Sequence, residues 1–512
     1  MSKQIIIACI ILLAIVVRFW GLGSNPVSLY WDEVAILLDA KSISQTGMDM
    51  HGLPWYQVIF PSYGDYKLPV YIWFTSIFVS FFGTQEWVVR LPSAIAGTLT
   101  ILVGGYIAWA VAIRTNSKHF ASLVGIATLA VLAFSPWGIM FSRTGFEAHL
   151  AQFFVALSVA TLITSKNYIA KKHTQKISHV LFIVSIILGV TAIYTYFSVR
   201  FVWPFVWGSS VIFFYFDSIN TKHVVGLLGR LVIGGVLTTL LLLPMYNSDK
   251  YQISNQFRLS SASVLTQYDY PIESNILREQ SGNTILSRIF YHRRWLMTRE
   301  LLQNVSEHAS PIFLFVSGDK NLRHGTGMHG LFVLPLFLPA IVGLFALGKK
   351  NPLVLIWLGI WVGFAFVPAS VPLEVPHALR SINAFVPLAI IIGWGIAVLI
   401  EHVQLSQRKI DKIALGIFAA LTLVFTCQFL FHYFFSYPIQ STKEWQAGYD
   451  QEAKIYTSQI RTDSSEFIQI SHHDDRLYLW ILLEGNISPT YIQSLETDGY
   501  KPKKIYNLQV SK

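Results

Sequence analysis

Runs of about 20 apolar residues recur along this chain, and a run of that length is what an α-helix needs to cross the hydrocarbon core of a bilayer. They lie near 4–20, 94–113, 120–138, 147–165, 178–197, 200–216, 224–244, 330–348, 352–368, 384–401 and 413–435. The pattern predicts an all-α polytopic membrane protein with about 11 transmembrane helices. Composition agrees: of 512 residues 53% are hydrophobic and 13% charged, against about 25% charged in a soluble domain. An ordinary soluble enzyme is excluded. The first run follows Lys3, and no small-residue cleavage pattern succeeds it, so a retained helix is expected rather than a signal peptide. Cys9 and Cys427 both lie within apolar runs, which leaves no basis for a disulfide scaffold or a cysteine metal site.

The net charge of +10 reads as topology and not as a nucleic-acid surface, because the basic residues gather in short connectors between apolar runs. Arg114 to Lys118, Lys166 to Lys176 (with Lys171 and Lys172), Lys349-Lys350, and Arg408-Lys409 with Lys412 all fall on one side when the runs are threaded alternately. That side is expected to be cytoplasmic, with the N-terminus inside, in the cell membrane. The threading requires the stretch Leu68 to Phe82, about 15 residues, to stay within one face of the bilayer; a short tilted span remains the alternative. Two long loops, 21–93 and 245–329, and the polar tail from 437 then lie outside. Residues 1–436 are read as the membrane domain and 437–512 as a small extracytoplasmic α/β appendage, in which Glu466–Ile470 and Arg476–Leu483 are predicted strands.

The candidate chemistry sits at the mouths of the apolar runs. Asp32 and Glu33 follow the first run in an aromatic setting, Ser28-Leu-Tyr-Trp-Asp-Glu33; acids at such a depth are costly unless they are used or paired. They either serve chemistry or cap the helix that continues through Val34. Asp65 and Lys67 precede the short apolar stretch, where Lys67 either snorkels to the interface or holds a phosphate. Arg143 and Glu147, four apart, pair with each other if their turn is helical; His149 follows. Glu374, His377 and Arg380 stand at another outer mouth, where an arginine beside an apolar helix suits a lipid phosphate. No Gly-rich phosphate loop, zinc-helix motif or nucleophile elbow occurs, and no internal repeat.

The order Trp31-Asp32-Glu33, Lys67-Leu-Pro69 with Trp73, Arg90-Leu-Pro-Ser-Ala94, and Ser142-Arg143 with Glu147 resembles the C-type membrane glycosyltransferases. Within them it looks closest to bacterial relatives of the dolichyl-phosphate-mannose protein mannosyltransferases and of the lipid A aminoarabinose transferases. The later runs Phe313 to His324 and Pro376 to Ser381 resemble uncharacterised bacterial members. The resemblance implies a C-type glycosyltransferase fold with Asp32 as the catalytic acid and Glu33 as an acceptor-side helper. It places Lys67 at the donor phosphate and Arg143 at an arginine of the mannosyltransferases. In oligosaccharyltransferases the turn that carries Glu147 here has two acids that help bind a metal. This chain offers Glu147 alone, so a divalent metal stays open.

The resulting expectation is inverting transfer of mannose or another monosaccharide from a polyprenyl-phosphate donor to a protein, lipid or glycan hydroxyl. Asp32 would be the general base, and Lys67, Arg143 or Arg380 would stabilise the leaving phosphate. Glu147, His377 and Asp65 complete the expected binding set. The rival readings are a lipid or sugar transporter, with Arg230 as the charge deepest in a run, and a non-catalytic cell-envelope scaffold.

Overall fold

A computed structural model describes residues 2–169, 172–216, 221–261, 263–264, 269–461, 468–470, 476–498 and 501–510. Lys171, Glu466 and Phe467, named above, lie outside them. Each predicted apolar run contains a helix, though not always over its whole length. Seven described helices are long and apolar enough to cross a membrane: Glu86–Ala112, Glu147–Ile169, Gln175–Ile193, His223–Tyr246, Pro352–Ala369, Ile382–Leu405 and Lys409–Gln440. The run 120–138 becomes two helices, Lys118–Phe134 and Pro136–Ser142, bent by 55°; together they make an eighth candidate span. The bend follows from Pro136, which has no N–H to give and holds Ser135 extended at ψ 134°.

Three predicted runs give shorter helices: Lys3–Phe19, Trp203–Tyr215 and Phe337–Lys350. The last begins late because residues 330–336 form a loop and a 3-10 turn around Pro335. The stretch Pro69–Phe82 is an apolar helix of 14 residues.

Close helix contact is set by small residues. A Cβ on Gly395 would stand 1.8 Å from the Pro339 carbonyl oxygen, and one on Gly343 2.0 Å from that of Ile391, so Phe337–Lys350 and Phe385–Leu405 meet backbone to backbone. Such contact is how membrane helices gain packing where burial from lipid contributes little. Arg230, the charge deepest in a run, donates to its own helix at Gly226 O, 2.9 Å, and lies 4.7 Å from the Tyr215 ring centre.

Three buried arginines shape the start of the chain. Arg18 donates to the carbonyls of Leu132 and Ala133. Arg143 donates to those of Val17, Arg18, Gly21 and Asn25 at 2.8–3.2 Å. Arg90 takes those of Leu22, Pro26 and Ser28. These bonds engage carbonyls of the irregular segment 20–30 and of the helix ends beside it, and the helix Trp31–Thr46 follows that segment.

The tail holds a three-stranded sheet in which Ile468–Ile470 runs parallel to Leu508–Val510, and the latter antiparallel to Lys504–Ile505. The expected strand over Arg476–Leu483 is instead a buried helix, Leu477–Glu484. The tail docks on Trp31–Thr46: Lys41 Nζ donates to Asn486 Oδ1 at 2.8 Å, and Gln493 Nε2 to Ser42 Oγ at 2.9 Å.

Candidate active site

Asp32 and Glu33 occupy the first turn of Trp31–Thr46, where acids complement the helix dipole. Successive helical residues point about 100° apart, and here that separates two roles. The Glu33 side chain is fully buried. It accepts the Tyr30 N–H at 3.0 Å, the Gly145 N–H at 2.7 Å and the Arg90 Nε–H at 3.0 Å. All of its bonding is structural, which corrects the expectation of a helper beside the acceptor.

Asp32 turns the other way, into a cavity of ≈ 260 Å³. Tyr63 Oη and Lys67 Nζ both donate to its Oδ1. Lys67 is held there by a two-stranded hairpin, Phe60–Ser62 with Asp65–Lys67, in which Phe60 pairs with Lys67. Trp31 is clamped by the tail, since its N–H donates to Gln446 Oε1 at 3.1 Å and the Arg476 guanidinium lies 3.7 Å from its ring centre.

Glu147 opens the helix Glu147–Ile169 and reaches the same cavity, with Oε1 3.8 Å from Lys67 Nζ. The Lys67 ammonium thus stands between the two carboxylates, where a divalent ion bridging them would have to sit. His149 offers no substitute: it is fully buried, with Nε2 3.5 Å from Ser142 Oγ. The residues at this position do not fit the metal that the oligosaccharyltransferase resemblance left open. Nor does Glu147 pair with Arg143, whose Nη1 and Nη2 donate to the carbonyls described above. Arg143 is bonded to backbone carbonyls and does not line this cavity.

The cavity also receives Asp65, Arg258, Arg323, His324, Glu374, His377 and Arg380. Arg258 Nη2 bridges both oxygens of Asp65 at 2.9 and 2.8 Å. Arg323 lies 4.3 Å from the Tyr30 ring centre, and Arg380, partly exposed, approaches Glu374 at 3.9 Å. Six of the expected site residues therefore share one cavity: Asp32, Asp65, Lys67, Glu147, His377 and Arg380. Four cations border it: Lys67, Arg258, Arg323 and Arg380. Sequence reasoning missed Tyr63, Arg258 and Arg323. A basic residue in a long polar loop carries no positional signal, although Arg323 stood inside a run singled out for its resemblance.

Burial acts to raise the Asp32 carboxyl, but the Lys67 ammonium and the bonds from Lys67 and Tyr63 outweigh it and hold the group below its ordinary value. Burial likewise lowers Lys67, while Asp32 and then Glu147 push it up to about 12. Both partners are charged at neutral pH. Burial drives His324 and His377 well below their ordinary value, so both are neutral imidazoles, and it raises Asp319 behind them.

No protein-family model and no curated protein matches the sequence. Solved structures do. ArnT from Cupriavidus metallidurans bound to undecaprenyl phosphate superposes with a TM-score of 0.54 at 14% identity, over 97% of this chain and 89% of that one. The archaeal oligosaccharyltransferase AglB from Archaeoglobus fulgidus, in complex with an inhibitory peptide and a dolichol-phosphate, gives 0.54 at 13% identity over 94% of this chain. The chain spans 63% of that enzyme's length. An A. fulgidus oligosaccharyltransferase in complex with Zn and sulfate gives 0.52 at 12% identity, over 98% of this chain and 58% of that one. The chain shares its fold with these membrane proteins.

Proposed function

We propose that the protein is an inverting membrane glycosyltransferase that moves a monosaccharide from a polyprenyl-phosphate donor to a hydroxyl acceptor outside the cytoplasm. The observation that carries this reading is the Asp32–Lys67 pair, set in a cavity that Arg258, Arg323 and Arg380 also border. One carboxylate base lies beside the cations that a departing phosphate requires.

In the resting site the Asp32 carboxylate is ionised and engaged by Lys67. A donor phosphate competes for Lys67 and frees an Asp32 oxygen for the acceptor. Asp32 then accepts the hydroxyl proton as that oxygen attacks the anomeric carbon, and the bond from this carbon to the phosphate oxygen breaks. The charge gathering on polyprenyl phosphate is met by Lys67 and the arginines, whose effect is larger in a poorly hydrated cleft than in water. Exposed apolar side chains along Thr221–Tyr246, among them Val225, Leu228, Val232 and Val236, suit contact with lipid. The cavity lies on the extracytoplasmic side in the topology that the basic connectors support. The tail, clamped to Trp31, is placed to help select the acceptor.

Transport is the competing reading. Arg230, its main support, is satisfied within its own helix and by Tyr215, which suits a structural role. The test is release of polyprenyl phosphate by the full chain in lipid nanodiscs, with polyprenyl-phosphate-mannose tried first, then other polyprenyl-phosphate monosaccharides, each with peptide and lipid acceptors. Acceptor-dependent release with glycosylated product is expected. Movement of intact donor across sealed vesicles without cleavage would instead support the transporter.

A further inference from the structure

In the wall of the Asp32 cavity, on the loops that also carry Arg323 and Arg380, three ligating side chains converge that the transfer chemistry above does not use. Asp319 and His324 come from the loop after the short helix Ile312–Val316, and His377 from the loop after Pro352–Ala369. All three are at least nine-tenths buried, with exposures of 5%, 7% and 4%. One donor atom from each lies within 4.8 Å of the others. His324 Nδ1 and His377 Nδ1 stand 3.8 and 4.0 Å from Asp319 Oδ2. These separations are too long for hydrogen bonds. They are near the ~3.3–3.6 Å between ligand atoms of a tetrahedral ion bound at about 2.0–2.2 Å.

His324 Nδ1 is buried with no hydrogen-bond partner, an arrangement that costs free energy unless something occupies it. The Asp319 carboxylate is aimed by two backbone donors, Ala378 N–H at 2.8 Å and Asn321 N–H at 2.9 Å. Such outer contacts orient metal ligands. Phe141 and Phe146 flank the His324 ring at 6.3 and 6.0 Å. A Cβ on Gly325 would stand 2.4 Å from the Asp319 carbonyl oxygen; a glycine there lets the loop close tightly enough to bring His324 back to Asp319.

We propose that Asp319, His324 and His377 form a binding site for a divalent transition-metal ion of the zinc class in the wall of the cavity. Two imidazoles and one carboxylate favour such an ion over magnesium or calcium, which prefer oxygen ligands. Three protein ligands leave a fourth position, the arrangement of zinc sites that keep an exchangeable ligand. His324 and His377 both line the cavity, and the proposal places that fourth position, for an anionic oxygen or water, on the cavity side. The site is distinct from the Asp32–Glu147 position that Lys67 fills, and it depends on no step of the proposed transfer.

The full chain in nanodiscs, stripped by chelator and dialysed, is titrated with Co²⁺ as the probe. One equivalent with visible ligand-field absorption, displaced by Zn²⁺, is expected. His324→Gln and Asp319→Asn are expected to weaken binding at least tenfold, while His432→Gln, in the neighbouring pair His329 and His432, leaves it unchanged. X-ray absorption of the zinc-loaded wild type needs no variant to fold, and is expected to show two imidazoles with oxygen ligands. Absence of binding by the wild type, unchanged binding in folded His324→Gln and Asp319→Asn, loss in His432→Gln instead, or a zinc shell without imidazole would each overturn the proposal.

Discussion

Two adjacent carboxylates with opposite fates define the candidate centre. Glu33 is buried against Arg90 and two backbone N–H groups, whereas Asp32 keeps one side open to the cavity. The lowered Asp32 pKa sets a pH dependence. A carboxyl whose folded value is depressed is fully charged above its ordinary range and protonates only as pH falls below it. The acid limb of kcat/KM for transfer is therefore expected below about pH 4, the ordinary Asp value. In Lys67→Met burial acts unopposed by the lysine, so the limb should move upward through that value. An unshifted limb would show that Asp32 is not the titrating group. Sequence alone left Asp32 and Glu33 open between capping and chemistry, because spacing does not say which way each faces. In the structure Glu33 faces inward to Arg90 and backbone N–H groups, and Asp32 faces the cavity.

The elements that place Asp32 are rigid for identifiable reasons. Arg90 joins Glu33 to the carbonyls of the segment that precedes it. Arg90→Met would strand the Glu33 carboxylate without its ion partner, a loss expected to cost about 3–5 kcal/mol, read as lower thermal stability in detergent; an unchanged melting temperature would refute the staple. Gly395→Ala would push a methyl group into the Pro339 carbonyl oxygen. A cost of about 1–3 kcal/mol is expected from such overpacking, again measurable by thermal melts. These contacts are not legible in the sequence, where Arg143 reads as a partner of Glu147 or as a phosphate ligand until the path of residues 20–30 is known. The tail shows a different limit. Arg476–Leu483 is a short apolar run, and periodicity cannot tell a buried strand from a buried helix at that length.

At the scale of the molecule, the apolar runs made the helical bundle legible, because bilayer thickness sets their length. Leu68 to Phe82 stood out for the same reason, as too short for an ordinary crossing. The C-type fold was readable through the order of short motifs around Asp32, Lys67 and Glu147. The cations Arg258 and Arg323 were not assigned to the site, because they come from a long loop folded back over the cavity. Only the fold tells where such a loop lands. Assembled, these parts support the proposal that Asp32 is the base of a sugar transfer from a lipid-linked phosphate donor. The most direct test is single-turnover transfer of radiolabelled sugar from the best polyprenyl-phosphate donor, comparing wild type with Asp32→Asn in nanodiscs at equal folded concentration. A loss on the order of 10²–10⁴ in rate with donor binding retained is expected. Transfer by Asp32→Asn at the wild-type rate would contradict the account and make Asp32 a helix-capping residue.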